Sequence, residues 1–236
     1  MTNEPVIPDF GEASACVSEN RFFCTDWVRD NWGPVLQPRL IEHIELTLIA
    51  VSIGFVISLA AALLAHRFHF AERPIAFASA VIYTIPSLAL FQLLVPLTGL
   101  TVTTVEIALV GYTILILFRN ILTGLRSAPP EVLEAARGMG LTSSQTLWRV
   151  ELPLALPAIV AGLRIAVVST IALATVAAFV VSQGLGVPIL GALRDNFKTE
   201  ILVAGALAVG LAFIADGLLV LAQRALTPWA TSRRTA

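Results

Sequence analysis

The sequence predicts an all-α integral membrane protein with about five transmembrane helices. Apolar residues make up 57% of the 236 residues and charged residues only 13%, and the mean hydropathy is +0.85. A soluble domain of this size could not bury so large an apolar fraction. The apolar residues also occur in long runs, each close to the roughly 20 residues that a helix needs to cross a hydrocarbon core about 30 Å thick.

Five such runs follow a polar leader, residues 1–40. Residues 41–226 are therefore predicted to form the membrane domain, and residues 227–236 a cytoplasmic tail. The second run contains Pro86 and Pro96, so we expect it to be broken or kinked. The runs are Ile44–Ala65, Ile75–Leu97, Ile107–Leu125, about Ala158–Val181, and Ile201–Leu221.

Small residues recur every four positions in the first and fifth runs. Lipid gives no hydrophobic attraction between helices, so such stripes are typical of faces where two helix backbones approach closely. We expect packing faces here rather than a lining for a substrate. The stripes are Ala50, Gly54, Ser58 and Ala62, and Ala204, Ala208 and Ala212.

The leader has no basic segment ahead of a short apolar core, which argues against a cleavable signal peptide. Its tryptophans would allow residues 27–40 to lie along the membrane surface. Gly33, Pro34 and Pro38 in the same stretch argue against one continuous helix.

The basic residues predict the orientation of the chain. With the leader outside, ten basic residues fall on inner segments and five on outer segments, which favours an exported N-terminus and a cytoplasmic C-terminus. The two cysteines, Cys16 and Cys24, then face a compartment where a disulfide can form. Two thiols without a partner are the alternative.

Composition and motifs exclude several classes of function. The net charge of −1 gives no basic surface for nucleic acid. The only lysine, Lys198, follows Phe197, so the chain has no Walker A loop and no ATPase site of its own. No other metal-ligating residues accompany His43, His66 and His69 in a pattern typical of a metal site, and no nucleophile is accompanied by a positioned base. We therefore expect no metal site, no cofactor and no enzymatic activity in this chain.

A polar stretch, residues 127–153, separates the third and fourth runs and predicts a helical hairpin. A proline pair ending at Pro130 is typical of a helix start, and Gly138 favours its end. The sequence Thr142-Ser143-Ser144-Gln145 is typical of a capping box for a second helix, which we expect to end before Pro153.

The hairpin is expected to offer a small apolar ridge to a groove on another protein. Leu133 and Ala136 would be exposed on one side of its first helix. Met139 and Leu141 would lie at the turn.

The same stretch resembles the coupling loop of permease subunits in ABC importers. That pattern is Glu-Ala-Ala, three residues, Gly, nine residues, Ile, any residue, Leu-Pro. The chain has Glu134-Ala135-Ala136, Gly140, Val150 and Leu152-Pro153 at these positions. The departure from the pattern is the valine in place of isoleucine.

This resemblance implies a type I importer permease fold over about residues 40–226 and a hairpin that docks in a cleft of a separate ATP-binding subunit. Glu134 would contact the docking site, Ala135 and Ala136 would permit close approach, and Gly140 would form the turn. The complete set assigned to coupling is Leu133, Glu134, Ala135, Ala136, Met139, Gly140, Leu141, Val150, Leu152 and Pro153.

Four further stretches resemble the glycine betaine, choline and carnitine permeases of osmoprotectant uptake: residues 83–90, 118–120, 157–164 and 184–186. They imply alternating-access import of a quaternary ammonium solute across a prokaryotic inner or plasma membrane. An extracytoplasmic binding protein would deliver the solute, and ATP and Mg would bind to the partner ATPase. A second permease chain, identical or homologous, is expected because five spans are few for a complete pathway.

Candidate residues for the passage lie on the second run, because a helix interrupted within the membrane frees backbone groups for water or solute. A simple kink at Pro86 is the alternative. Asp216 would either form part of a gate or pair with Arg119 or Arg164, two arginines that could also anchor at the interface. The candidates on the second run are Tyr83, Pro86, Ser87 and Gln92.

Two rival functions are compatible with parts of the sequence. An ion-coupled secondary transporter or channel would use Asp216 to bind the coupling ion, but it would have no use for a docking hairpin. An ABC importer for an amino acid would share the hairpin and differ in the solute.

Overall fold

The structure is a computed structural model that describes residues 15–228, and within this range the chain forms helices and no strands. The predicted all-α class is confirmed. The first fourteen residues of the leader and most of the predicted tail, residues 229–236, lie outside the described residues. The α-helices are α1 Ala15–Ser18, α2 Thr25–Asn31, α3 Gln37–Arg67, α4 His69–Thr84, α5 Ser87–Thr98, α6 Val102–Leu125, α7 Pro130–Gly138, α8 Ser143–Thr146, α9 Leu152–Val176, α10 Gly186–Asp195 and α11 Lys198–Leu226.

Five crossings of the membrane, the predicted number, are present if α4 and α5 are taken as one broken crossing. These two helices meet at an angle of 101°. The expected interruption occurs at Pro86, whereas Pro96 lies within α5. The other four stretches that are long and apolar enough to cross are Thr25–Arg67, Val102–Leu125, Ser143–Phe179 and Lys198–Leu226.

The break between α4 and α5 has a local chemical cause. A proline disfavours the helical conformation of the residue before it, and Ile85 is accordingly extended, with φ −70° and ψ 129°. Its carbonyl is lost to the helix ladder and accepts a hydrogen bond from the hydroxyl of Tyr112 on α6. The neighbouring helix thus satisfies a backbone group that the break sets free.

The leader continues into the first span without a break. A π-turn, Trp32–Leu36, joins α2 to α3, and the amide of Gln37 donates to the carbonyl of Trp32, five residues back. Pro38 follows directly. A proline lacks an amide and crowds the carbonyl four residues back, whereas the wider π-turn leaves room for its ring. Thr25–Arg67 is therefore one helical stretch, and the expected break within residues 27–40 is wrong.

The same device joins the hairpin to the fourth span. In a second π-turn, Leu147–Glu151, the amide of Leu152 donates to the carbonyl of Leu147, and Pro153 follows. Ser143–Phe179 is consequently continuous. The expectations that the second hairpin helix ends before Pro153 and that the fourth span begins near Ala158 are both wrong.

α6 is the most enclosed of the spans and packs against α3, α4, α5 and α9. Two clusters of buried apolar side chains lie along it. One contains Phe91 and Leu109, and the other, nearer the hairpin, contains Phe118 and Ile121. α11 contributes little to either cluster, since only 11% of its apolar window is buried, against 61% for α6.

The small-residue stripe of α3 is a packing face, as predicted, because all four of its residues are buried. A Cβ on Gly54 would collide with the side chain of Thr113 on α6. The hydroxyl of Ser58 donates to the carbonyl of Ile114 over 3.4 Å. On α11, Ala204 and Ala208 are buried as well.

The leader is fastened to the turn between α10 and α11. The side-chain amide of Asn20 donates to the carbonyl of Asn196 over 2.7 Å, and the amide of Cys24 donates to the hydroxyl of Thr199 over 3.0 Å. Cys16 and Cys24 form a disulfide, with their Cα atoms 5.8 Å apart. Of the two alternatives for these cysteines, the structure therefore has the bonded one.

The contact between α9 and α10 allows a matched stability test. A Cβ at Gly186, the first residue of α10, would collide with the carbonyl of Thr175 near the end of α9, whereas a Cβ at Gly191 in the same helix would meet nothing within 4 Å. We expect Gly186→Ala to lower the free energy of unfolding by about 1–3 kcal/mol. Gly191→Ala should leave it unchanged or raise it by up to about 1 kcal/mol. Thermal unfolding of the two purified variants in one detergent checks this, and equal melting temperatures would contradict the described contact.

Candidate functional site

The first helix of the hairpin, α7, begins and ends as its sequence predicts. Pro129 is its N-cap and Pro130 its first residue, a position where the missing amide costs nothing. Gly140 follows its end with φ +80°, a left-handed conformation that favours glycine. A Cβ there would meet nothing within 4 Å, so backbone conformation and not lack of space requires this glycine.

The predicted capping box at the start of α8 is present. The amide of Gln145 donates to the hydroxyl of Thr142 over 3.3 Å, and the amide of Thr142 donates to the side-chain oxygen of Gln145 over 2.9 Å. The two bonds satisfy backbone donors that no helix turn can reach. The turn of the hairpin is therefore held by its own residues.

The faces of α7 differ from those expected. Ala136 is only 1% exposed and Leu133 is half-buried, so their predicted exposure is wrong. The helix has two apolar stripes, and these two residues belong to the one that faces the bundle. The other stripe has residues spaced by three and four positions and lies on the outer side. We call this outer stripe, Val132, Ala135 and Met139, the exposed face of α7; Met139 is 74% exposed. Glu134 is exposed beside it.

The remaining residues of the coupling pattern lie in the join between hairpin and membrane. Val150 is part of the second π-turn, and Leu152 and Pro153 begin α9; all three are half-buried. Leu152 packs against the buried cluster that contains Phe118 and Ile121. The pattern thus combines an outward-facing part with a part that anchors the hairpin to α6.

A contact between two polar side chains also fastens the hairpin to the first span. Nε2 of His66, near the end of α3, lies 2.8 Å from Oε2 of Glu151 in the π-turn. A polar cavity of about 690 Å³ lies beside this pair and is also lined by Leu133 and Leu141. Nothing in the local sequence around His66 or Glu151 indicates this contact, because 85 residues separate them in the chain.

An ion pair closes the same end of the bundle. Arg126, just after α6, lies 2.8 Å from Glu72 in the first turn of α4, and it also donates to the carbonyl of Ala65 on α3 over 3.5 Å. The ends of α3, α4 and α6 are therefore joined where the hairpin begins.

The passage candidates lie around the break between α4 and α5. Tyr83, Pro86 and Gln92 are exposed and Ser87 is half-buried. The ring of Tyr83 packs edge to face on Tyr112, with ring centroids 5.9 Å apart.

Asp216 does not lie beside the broken helix but is paired with Arg164 on α9. The guanidinium donates two hydrogen bonds to the carboxylate, from Nε to Oδ1 over 2.7 Å and from the second terminal nitrogen to Oδ2 over 2.9 Å. Of the partners considered for Asp216, the structure selects Arg164, which is therefore not a simple interface anchor. Arg119 remains exposed on α6.

Two polar residues near the leader end escaped the sequence reasoning. His43 is buried, where its Nε2 donates to the carbonyl of Ile171 over 3.0 Å and its Nδ1 accepts from the amide of Leu185 over 3.2 Å. Both carboxylate oxygens of Glu106 on α6 are buried without a hydrogen-bond partner among residues 15–228. In that range no cluster of three histidine, cysteine or acidic residues could hold a metal ion.

The spans, the broken helix and the anchored hairpin together define the membrane subunit of a transporter. The family model described as "Binding-protein-dependent transport system inner membrane component" matches residues 54–230. The chain belongs to this family of ABC importer permeases, and the resemblance found in its sequence is confirmed. It is a multi-pass membrane protein.

Curated relatives agree with the family and extend over most of the chain. The choline transport system permease protein OpuBB of Bacillus subtilis is 34% identical over 203 residues, which are 86% of this chain and 93% of the relative. The osmoprotectant import permease protein OsmW of Salmonella typhimurium is 36% identical over 208 residues, 86% and 96% of the two chains. The predicted resemblance to osmoprotectant permeases is thereby confirmed.

Solved structures confirm the type I importer fold. An inward-facing form of the MetNI methionine ABC transporter matches with a TM-score of 0.72 and 22% identity, covering 82% of this chain and 98% of the other. An amino acid ABC transporter solved with histidines matches with a TM-score of 0.65 and 21% identity, covering 84% and 97%. At this identity the likeness concerns the fold alone.

The two faces of α7 give a second matched test. Ala136→Leu inserts a large side chain into a site that is 1% exposed, and we expect it to lower the free energy of unfolding by about 1–3 kcal/mol. Ala135→Leu on the exposed neighbour should change it by less than about 0.5 kcal/mol. Chemical denaturation of both variants without partner subunits provides the measurement, and a larger loss at Ala135 would reverse the assigned faces.

Proposed function

We propose that this chain carries glycine betaine, choline or a related quaternary ammonium osmoprotectant into the cell, driven by a separate ATPase subunit. The solute class is supported by the curated relatives, which carry such names and span 86% of the chain. The solved amino-acid importers share the fold at 21–22% identity, too low to support an amino-acid cargo for this chain.

The observation that carries the coupling proposal is the continuity of Ser143–Phe179. The exposed face of α7 would dock on the ATPase, with Glu134 beside it. The rest of the hairpin is joined to α9 through the π-turn, so that movement imposed on the hairpin is transmitted along one helix into the membrane. ATP and Mg would bind to the ATPase, and the permease would alternate between inward-open and outward-open states.

Three further partners complete the proposed assembly. An extracytoplasmic binding protein would deliver the solute, and lipid would surround the spans. A second permease chain would pack against α11, whose Ile214, Leu218 and Leu221 are exposed. Five crossings form only part of a wall around a passage, and a twofold pair of permeases would complete it.

A charge reversal at the hairpin tests docking. Glu134→Arg places an arginine beside the exposed face of α7, and we expect it to weaken co-purification of the ATPase and to lower ATP-driven uptake of labelled glycine betaine at least about tenfold. Lys198→Glu, an equal reversal of an exposed charge at the opposite end of the bundle, is the control and should preserve both.

The outcomes separate the two parts of the proposal. Full uptake by the Glu134→Arg variant would contradict docking through this face. If the wild-type protein co-purifies with an ATPase but takes up neither glycine betaine nor choline, the solute class is wrong and the importer stands.

The orientation is proposed with the leader outside and the hairpin in the cytoplasm. Cys16 and Cys24 are the only cysteines, so after mild reduction a membrane-impermeant maleimide should label the protein in intact cells. In a Cys16→Ser/Cys24→Ser background, Met139→Cys on the hairpin should be labelled only after permeabilisation. The reverse pattern would invert the topology.

A further inference from the structure

A groove between α9 and α11 contains the pair formed by Arg164 and Asp216. Its volume is about 640 Å³, within the roughly 300–1,000 Å³ typical of small-molecule sites. The walls are otherwise largely apolar, with Ile165, Val209 and Phe213 among the lining residues. Both charged side chains are about one-third exposed, at 34% and 33%, so a ligand in the groove can reach them.

The charge pair lies within the membrane-spanning part of the bundle. Asp216 is five residues, about 7 Å along a helix, before Leu221, the last residue of the fifth apolar run. Charged groups within a span mostly face a protein interior or a water-filled cavity, because exposure to lipid is costly. The groove therefore faces the inside of the assembled transporter.

We propose that this groove is a binding site for the transported solute and that it selects zwitterions that carry a carboxylate and a quaternary ammonium group. This inference rests on the proposed function and narrows its substrate class. The planar guanidinium of Arg164 binds a carboxylate through two parallel hydrogen bonds, as it now binds Asp216. A solute carboxylate takes the place of the aspartate.

The other end of the solute meets complementary groups. Asp216, released from Arg164, offers its negative charge to the quaternary ammonium group. Phe213 lines the same groove and is 74% exposed, and the face of an aromatic ring attracts such a cation. Without solute the two charged residues neutralise each other, so the empty site exposes no unpaired charge inside the membrane.

One residue of α9 connects the groove to the side of the broken helix. Ser169 lies five residues after Arg164 and lines both this groove and a narrow crevice that contains Tyr83 and Tyr112. A change in the position of α9 would therefore reach both the groove and the crevice.

The site is also connected to the hairpin. Arg164 belongs to the continuous stretch Ser143–Phe179, whereas Asp216 is on α11. Movement of the hairpin therefore shifts one member of the pair relative to the other. Opening of the pair, and with it exchange of aspartate for solute, follows the ATPase cycle.

The test uses the assembled importer without its binding protein and measures direct binding of labelled glycine betaine and of choline, which has no carboxylate. The Arg164→Gln/Asp216→Asn double variant removes both charges and leaves neither unpaired. The exchanged variant Arg164→Asp/Asp216→Arg keeps an ion pair but reverses its direction. Arg119→Gln, on an exposed arginine outside the groove, is the control.

We expect both pair variants to bind glycine betaine at least about tenfold more weakly than the wild type, a difference of about 1.4 kcal/mol. The control should match the wild type. In Arg164→Gln alone, glycine betaine should lose at least about five times more affinity than choline, because Asp216 and Phe213 remain for the cation.

Two outcomes would overturn this inference and leave the proposed function intact. In the first, the exchanged and double variants bind and transport glycine betaine like the wild type. In the second, the Arg164→Gln variant loses the same affinity for glycine betaine as for choline. If the wild-type importer neither binds nor transports either compound, the proposed function fails and takes this inference with it. If Arg164→Gln does not fold, the double and exchanged variants still show whether the charge pair binds glycine betaine.

Discussion

Backbone hydrogen bonding constrains this protein most strongly at its prolines, because a proline within a helix leaves a carbonyl without its usual partner. Where Pro86 breaks the second crossing, the phenol of Tyr112 takes over the carbonyl of Ile85. Where Pro38 and Pro153 would break helices, a π-turn precedes each and the ladder continues. The helix thus breaks at Pro86 but continues through Pro38 and Pro153, and the turn before each proline decides which outcome occurs.

The features of the fold that could be predicted from the sequence are those set by run length or by local residues. Hydrophobic run length identified all five crossings, since the thickness of the bilayer alone sets it. Caps and turns were predictable because they act locally: Pro130 and Gly140 act through backbone conformation, and Thr142 bonds through its hydroxyl to a residue three positions along. The π-turns could not be predicted, because the sequence does not determine whether the residues before a proline form a wider helical turn or end the helix.

Contacts between distant segments were the other limit. The choice of Arg164 over Arg119 as partner of Asp216 depends on which faces of α9 and α11 meet. The burial of Ala136 depends on how α7 lies against the bundle, and the periodicity of a nine-residue helix with two apolar stripes does not decide between them. The sequence therefore predicted the hairpin that carries the candidate coupling residues, while the faces of its first helix needed the structure.

The attachment of the leader to the turn between α10 and α11 joins a segment that is synthesised early to one that is synthesised late. Asn20 and Cys24 acquire their partners, Asn196 and Thr199, only after the last turn has emerged from the ribosome. Until then the leader has no contact with the segment to which it will be fastened. A nascent chain arrested before α11 therefore leaves Asn20 and Cys24 without these two partners, so the leader can be fastened in place only in the completed membrane domain.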